Sequence, residues 1–169
     1  YYCQNHFPQK LHLPVSLQHH TTVAMLPNFL ADLVKQQSYN PDNFFLIAGP
    51  CVVESEELVM EIADKVSGIC KRLEIPYVFK ASYRKANRTS ASSFTGLGDD
   101  IGLDLIKKVG TTYNLPTTSD VHAHDECAVA AQYIDILQIP AFLCRQTDLL
   151  LAAADTGKIV NVKKKMIKF

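Results

Sequence analysis

Short apolar runs alternate with longer amphipathic stretches from Phe44 to Lys163, and this alternation predicts the secondary structure. The apolar runs predict five strands, at residues 44–48, 77–81, 116–121, 134–139 and 159–163. The stretches between them repeat apolar residues at helical spacing and predict four helices, at about residues 56–70, 99–114, 126–132 and 147–155. Ser55, followed by two glutamates, is typical of a helix N-cap. This alternation implies parallel strands joined by right-handed crossovers.

The pattern fits either an open doubly wound sheet or a (β/α)8 barrel, and the polar residues at the strand ends favour the barrel. Polar or reactive side chains lie at or just past the C-terminal end of every predicted strand: Cys51, Lys80 with Ser82, Asp120, Gln138, and Lys163. Catalytic groups contributed by the ends of many strands are typical of the barrel. Alternation also puts Lys80 and Ser82 on one face, and Asn161 and Lys163 on one face. We therefore predict an α/β fold of the TIM-barrel family, here with about its first five strands and four helices.

The second strand leads into a loop that is rich in cations and hydroxyl groups. Residues 75–98 contain four Lys or Arg residues and no Asp or Glu, and the loop ends in glycines just before the helix at Asp99. Cationic side chains, hydroxyl donors and free backbone N–H groups are the usual parts of a phosphate site. A solvated basic loop is the alternative, and the loop alone leaves both open.

Five cations are expected to converge on one mouth of the barrel around the main acid there, Asp120. They are Lys80, Lys85, Arg88, Arg145 and Lys163. Their mutual repulsion predicts anionic ligands, such as phosphorylated or carboxylated substrates. A module that only binds such an anion remains open as an alternative to an enzyme.

The composition limits the partners and the compartment. The chain has 169 residues and a formal net charge of zero, which suits one globular domain and disfavours nucleic acid as a partner. No apolar run reaches the roughly 18 residues of a membrane span. Five scattered cysteines without a Cys-x-x-Cys pair favour the cytoplasm over a disulfide framework. His122, His124 and Cys127 match no common metal spacing, and a strand end followed by a helix start is the favoured interpretation.

Both ends of the chain differ from the middle. Residues 1–24 hold four of the six histidines and no acidic residue, and we expect them to be a non-native or disordered extension ahead of a natural start at Met25. The barrel domain is predicted to occupy residues 25–164. Residues 165–169 follow the last strand without a closing helix, and we expect an aberrant tail on a truncated chain.

Four motifs together closely match one family over about residues 44–164. They are Ile47-Ala48-Gly49-Pro50-Cys51, Phe79-Lys80-Ala81-Ser82 with Lys85-Ala86-Asn87-Arg88, Thr118-Ser119-Asp120-Val121-His122, and the run from Gln138 to Asp148. The chain resembles the 3-deoxy-D-manno-octulosonate 8-phosphate (Kdo 8-phosphate) synthases. A related synthase family that uses erythrose 4-phosphate shares the Gly-Pro-Cys turn, but it usually has Lys-Pro-Arg-Thr-Ser where this chain has 85–90.

The resemblance implies a reaction, an assembly and a set of site residues. The family condenses phosphoenolpyruvate with arabinose 5-phosphate in cytoplasmic Kdo biosynthesis, and its (β/α)8 barrel usually assembles as a homotetramer. Lys85 would lie between the substrates, and Asp120 would orient the sugar aldehyde. Arg145 would reach the phosphate site of a neighbouring subunit. By the same resemblance, phosphoenolpyruvate would be held by Lys80, Ser82, Gln138, Ala141 and Lys163, and arabinose 5-phosphate by Asn87, Arg88 and Thr89.

Cys51 places the chain with the metal-dependent members of that family, because the metal-independent members have Asn at this position. A thiolate suits Zn²⁺ or Fe²⁺, and a buried free cysteine is the alternative. The family continues beyond Lys164 with the remaining metal ligands and a further phosphate-binding Arg, none of which this chain contains. An inactive fragment or an anion-binding module is therefore the alternative to an active synthase.

Overall fold

A computed structural model describes residues 28–34, 37–38, 40, 44–86 and 95–164 of the chain. The predicted extension at 1–24 and the predicted tail at 165–169 lie outside these residues. Three predicted sugar-phosphate residues, Asn87, Arg88 and Thr89, also lie outside them.

Strands and helices alternate along the described chain. The strands are β1 (Leu46–Ala48), β2 (Tyr77–Lys80), β3 (Thr117–Asp120), β4 (Ile136–Ile139) and β5 (Ile159–Val162). The helices are α1 (Asn28–Val34), α2 (Glu56–Arg72), α3 (Asp99–Tyr113), α4 (His124–Ala130) and α5 (Thr147–Asp155), with a 3-10 turn at Ala141–Leu143. All five predicted strands and all four predicted helices are present.

The strands form one parallel sheet in the order β1-β2-β3-β4-β5. An open doubly wound sheet reverses its strand order at a switch point, whereas each strand here pairs with the next one in the chain. This sequential order is that of a (β/α)8 barrel, and the described strands correspond to five of its eight units. The prediction of the barrel family is confirmed.

Two features of the helices differ from the sequence prediction. The seven-residue helix α1 was not predicted, because a segment this short shows less than two full helical repeats. Helix α4 begins at His124 rather than at Glu126 and ends at Ala130, with extended Ala123 as its N-cap. Asp125 and Glu126 thus occupy its first turn, where acids favour the helix dipole. The N-cap at Ser55 is confirmed, because its hydroxyl accepts a hydrogen bond from the N–H of Leu58 at 3.2 Å.

The two faces of the sheet bury different side chains. Tyr77 and Phe79 of β2 lie in the main core with the helices, whereas Val78 lies with Ile136 in a second cluster. Leu33 of α1 packs against this second cluster. Since Lys80 alternates with Phe79 in the same way as Val78 does, Lys80 lies on the second face, beyond the apolar cluster toward the strand ends.

Gln37 connects the segment after α1 to the start of β2. Its side-chain amide donates to the carbonyl of Tyr77 at 2.7 Å, and its side-chain oxygen accepts from the N–H of Tyr77 at 2.8 Å. The amide thereby satisfies both backbone groups of one residue. No helix among the described residues is both long and apolar enough to cross a bilayer.

Candidate active site

Polar side chains from four neighbouring strands meet at the C-terminal edge of the sheet. Asp120, Gln138 and Asn161 stand in register on β3, β4 and β5. The amide of Gln138 donates to Oδ1 of Asp120 at 2.5 Å, and the amide of Asn161 donates to Oε1 of Gln138 at 2.9 Å. With the two residues contributed by β2 and its following loop, they form the strand-end cluster: Lys80, Ser82, Asp120, Gln138 and Asn161.

Lys80 supplies the positive charge of the strand-end cluster. Its Nζ atom lies 3.0 Å from Oδ2 of Asp120 and 3.2 Å from Oγ of Ser82. The Ser82 hydroxyl donates to the same Oδ2 atom at 2.7 Å. The side chains of Lys80 and Asp120 are only 17% and 15% exposed, so solvent screens this ion pair weakly. The prediction that Lys80 and Ser82 share one face is confirmed.

The surroundings of Asp120 keep its carboxylate ionised. Burial acts to raise the pKa of Asp120, but the Lys80 ammonium and hydrogen bonds from Gln138, Ser82 and Lys80 outweigh it, so the pKa is lowered. Both carboxylate oxygens are therefore hydrogen-bond acceptors at neutral pH. The strand-end cluster then presents a fixed carboxylate beside a cation that has one further N–H group to donate.

Asp120→Asn is expected to lower the free energy of unfolding at neutral pH, because it leaves Lys80 half-buried without a counter-charge. A carboxyl whose folded pKa is depressed contributes stability above its usual pKa of 3.8 and loses it as the pH falls through the folded value. The difference between the wild type and Asp120→Asn should therefore shrink in acid. Urea unfolding between pH 7 and pH 2 measures it, with Asp104→Asn, an exposed residue of α3, as the control. A difference that is constant over this range would contradict the expectation.

The turn after β1 is held against the end of β2 by Gly49. Its φ is +153°, and a Cβ atom at this position would lie 1.9 Å from the backbone oxygen of Lys80. Glycine alone tolerates so close an approach. The N–H of Val53 also donates to the carbonyl of Ser82 at 3.0 Å. The turn that carries Cys51 is thus tied to the backbone of two members of the strand-end cluster.

Cys51 itself is exposed and free, so it is not the buried free cysteine of the alternative interpretation. Within the described ranges, no group of three or more His, Cys, Asp or Glu residues is placed to hold a metal ion. A divalent metal at Cys51 remains a prediction. Cys127 was weighed above as part of a metal cluster or of a helix start. It is buried in α4, and its thiol lies 3.7 Å from the carbonyl oxygen of Ala123, the N-cap of that helix.

Four further predicted site residues that the structure describes follow strand ends at this edge, outside the strand-end cluster. Lys85, Arg145 and Lys163 are exposed, and Ala141 begins the 3-10 turn after β4. The N–H of Lys163 donates to the carbonyl of Ile139 at 3.0 Å, which places its backbone directly beyond β5. In the described part of the chain, only one predicted cation, Lys80, forms an ion pair with Asp120.

The site prediction omitted Asn161 and a second polar network around Glu126. Alternation along β5 was a signal for Asn161, since it shares a face with Lys163. The carboxylate of Glu126 binds Arg84, Tyr83 and the backbone of His122. Arg84 precedes Glu126 by 42 positions, and no local spacing pattern reveals such a pairing.

Comparisons with known proteins agree with these motifs. A protein of Koribacter versatilis is 56% identical over 131 residues, which is 78% of this chain and 47% of that protein. One of Trichlorobacter lovleyi is 56% identical over 119 residues, or 70% of this chain and 44% of that protein. Both are named 2-dehydro-3-deoxyphosphooctonate aldolase. An Arabidopsis thaliana protein, 2-dehydro-3-deoxyphosphooctonate aldolase 1, is 50% identical over 132 residues, which is 78% of this chain and 46% of that protein.

The chain thus spans less than half the length of these curated relatives. The sequence model of the DAHP synthetase I family matches residues 31–167, a range that includes all five strands and the strand-end cluster. Most of the chain, including the edge where its polar residues meet, is therefore covered by one family. The chain belongs to the DAHP synthetase I family.

Proposed function

We propose that this chain is part of a 3-deoxy-8-phosphooctulonate synthase, which condenses phosphoenolpyruvate, D-arabinose 5-phosphate and water to Kdo 8-phosphate and inorganic phosphate. The observation that carries the proposal is the strand-end cluster, in which a half-buried Lys80 is held by Asp120 at the edge where barrel enzymes place their chemistry. The names of the relatives support the octulosonate enzyme over the related heptulosonate synthase. Kdo 8-phosphate is a precursor of the Kdo sugar of lipopolysaccharide in this proposal, and we place the enzyme in the cytoplasm.

In this proposal the strand-end cluster binds phosphoenolpyruvate. Lys80 and Ser82 provide a cation and a hydroxyl on the same face, 3.2 Å apart, which suits a phosphate or carboxylate group. Gln138 provides a second polar group in register with Asp120. The backbone that begins at Ala141 and the exposed Lys163 extend this binding surface.

The sugar phosphate lies beside it in the proposed arrangement. Lys85, three residues beyond Ser82, lies between the two substrates, and Asn87, Arg88 and Thr89 bind arabinose 5-phosphate. Asp120 accepts hydrogen bonds from the sugar hydroxyls and orients the aldehyde. Its lowered pKa supports this role, because an ionised carboxylate is a stronger acceptor than a protonated one.

The proposed reaction forms one carbon–carbon bond and breaks one carbon–oxygen bond. The enolpyruvate carbon attacks the aldehyde carbon, and water adds to the carbon that bears the phosphate. Water supplies the proton that the aldehyde oxygen takes up. Its second proton leaves with the phosphate when the bond between the carbon and the phosphate oxygen breaks, so that a ketone remains. The protein holds two anions side by side against their repulsion. It also stabilises the positive charge that develops at the phosphate-bearing carbon and the negative charge that develops on the aldehyde oxygen.

A divalent metal, Zn²⁺ or Fe²⁺, is part of the proposal. Cys51 fits as one ligand because its thiol is exposed on a turn that is tied to the backbone of Lys80 and Ser82. The other ligands would come from residues outside the described ranges or outside this chain. When bound, such an ion supplies a Lewis acid that can activate water or polarise the aldehyde.

The assembly that we propose is a homotetramer. Arg145 is exposed two residues after the end of the 3-10 turn, which suits the proposed contact with the phosphate site of a neighbouring subunit. An anion-binding module without turnover is the second candidate. It is favoured by one observation, namely that the strand-end cluster holds a cation and a hydroxyl 3.2 Å apart, which can bind an anion without catalysing a reaction.

A phosphate-release assay distinguishes these functions. We expect phosphate release only with both substrates, and a gain on adding Zn²⁺ or Fe²⁺ that is lost in Cys51→Ala but retained in Cys144→Ala. Binding of phosphoenolpyruvate by calorimetry without release would support the binding module. Release with erythrose 4-phosphate but not with arabinose 5-phosphate would support the heptulosonate synthase, and neither binding nor release would contradict both proposals.

A further inference from the structure

A second polar network lies beside the strand-end cluster and is centred on Glu126 of α4. The side chain of Glu126 is only 17% exposed. Its Oε2 atom accepts the hydroxyl of Tyr83 at 2.5 Å and the backbone N–H of His122 at 2.8 Å. Its Oε1 atom accepts from the guanidinium of Arg84. One carboxylate therefore joins the segment after β2, the segment after β3 and helix α4.

Arg84 extends this network to the neighbouring helix. Its Nε atom lies 3.6 Å from Oδ1 of Asp99, the first residue of α3. Through its ion pairs with Asp99 and Glu126, Arg84 thus links the segment after β2 to the first turns of two helices, α3 and α4. Burial lowers the pKa of His122, although Asp120 opposes this shift. Because the lowered pKa favours the neutral imidazole of His122, the positive charge that pairs with Glu126 among the described residues is that of Arg84.

The base of the loop after β2 closes directly beside Arg84. The N–H of Lys85 donates to the carbonyl of Thr95 at 2.8 Å. Gly96, with a φ of +131°, lies so close that a Cβ atom there would be 2.6 Å from the carbonyl oxygen of Tyr83. Tyr83 is itself 1% exposed, and its N–H donates to Oγ of Ser119 at 3.3 Å. Both ends of the loop are therefore fixed against the residues that Glu126 holds.

The residues that Glu126 binds occupy a particular place in the proposed site. Tyr83 and Arg84 are the two residues between Ser82, which belongs to the strand-end cluster, and Lys85, which is proposed to lie between the substrates. The backbone conformation of Tyr83 and Arg84 therefore sets the distance and the direction from Ser82 to Lys85. A shift of about 1 Å in such a supporting segment is enough to weaken a binding constellation.

We propose that Glu126 is a positioning residue for Lys85, acting through Tyr83 and Arg84. The proposal rests on the proposed function for the identity of the ligand, but the contact itself does not depend on it. A carboxylate is required because one oxygen accepts from two neutral donors while the other binds a guanidinium. A glutamine has only one acceptor oxygen, so it cannot replace both sets of contacts.

Glu126→Gln tests the proposal through the amide of Lys85. Hydrogen exchange at this amide is expected to become at least about 10-fold faster, because its bond to Thr95 loses the support of the fixed segment. Glu56→Gln is the matched control, since Glu56 also accepts a hydrogen bond from a cationic side chain, in this case from Nζ of Lys108 at 2.5 Å, but lies on α2 at an exposed site. An unchanged exchange rate in Glu126→Gln, or the same acceleration in both variants, would overturn the proposal.

Ligand binding separates positioning from general destabilisation. Calorimetry with Glu126→Gln should show arabinose 5-phosphate bound about 10-fold more weakly, which corresponds to about 1.4 kcal/mol, and phosphoenolpyruvate bound within about twofold of the wild type. An equal loss for both ligands would indicate a merely structural role and would overturn the proposal. If the wild type binds neither ligand, the proposed function fails and the sugar-phosphate assignment fails with it, and the Lys85 exchange still decides whether Glu126 fixes the loop.

A second variant keeps the test valid if Glu126→Gln does not fold. Arg84→Met retains the hydrogen bonds from Tyr83 and His122 to Glu126 and removes only the guanidinium. We expect a similar acceleration at Lys85. Where Glu126→Gln also folds, the double variant should exceed either single variant by less than the sum of their effects, because the two residues share the Arg84–Glu126 contact. Additive effects of the two substitutions would contradict a shared action through the Arg84–Glu126 pair.

Discussion

Lys80→Met is expected to weaken the binding of phosphoenolpyruvate by about 100-fold, which corresponds to about 2.7 kcal/mol. The substitution has two effects on an anionic ligand. It removes the cation that lies 3.0 Å from Asp120 and 3.2 Å from Ser82, and it leaves the half-buried carboxylate of Asp120 without its counter-charge. Methionine retains most of the side-chain length, so the loss reports on charge rather than on volume.

Calorimetric titration with phosphoenolpyruvate measures this effect, and two further variants define its origin. Lys65→Met removes an exposed lysine that is paired with Glu61 on α2, and it should leave the affinity unchanged. Asp120→Asn should strengthen the binding of phosphoenolpyruvate or leave it unchanged, because it removes the negative charge and keeps Lys80. Equal affinities for Lys80→Met and Lys65→Met would exclude Lys80 from the anion site.

Gly49→Ala is expected to destabilise the fold by about 3 kcal/mol, which combines a backbone strain and a steric overlap that each cost about 1–3 kcal/mol. The added Cβ would lie 1.9 Å from the carbonyl oxygen of Lys80, and a backbone atom cannot move aside as the end of a flexible side chain can. The turn would have to separate from β2, which would also displace Cys51. A loss of this size is a large fraction of the stability of a small domain.

Gly157→Ala separates the two costs in Gly49→Ala. Gly157 has a positive φ of +69°, but no atom lies within 4 Å of its ideal Cβ position. Its replacement should therefore cost only the conformational part, about 1 kcal/mol. Urea unfolding of both variants measures the difference, and equal losses would show that the close approach to Lys80 contributes nothing.

The sequence predicted the sheet well because its pattern is local. A strand or helix is recognisable from the period of its own apolar residues, and the helix at Thr147–Asp155 was predicted to the residue. The strand ends then identified Lys80, Ser82, Asp120 and Gln138, since parallel strands place their C-terminal ends on one edge. The observed strands are shorter than the predicted ones, because the hydrogen bonds between neighbouring strands end before the predicted runs do.

Contacts between distant segments were harder to predict. The convergence of five cations on one mouth stays a prediction: in the described residues one ion pair joins Lys80 to Asp120, while Lys85, Arg145 and Lys163 are exposed. Like charges gain by separating into solvent unless a ligand or a carboxylate holds them together. Arg84 shows the same limit, because its partners Asp99 and Glu126 become its neighbours only after the sheet has formed.

The order of the strands also bears on how the chain folds during its synthesis. Each of the strands β2 to β5 pairs with the strand that was translated immediately before it, so none of these described strands must wait for a distant partner to leave the ribosome. Each strand–helix unit can join the growing sheet in turn, and the entropy cost of closing long loops is small. The edge that receives the next unit is therefore always the most recently made strand, and β5 is that strand in the sheet described here.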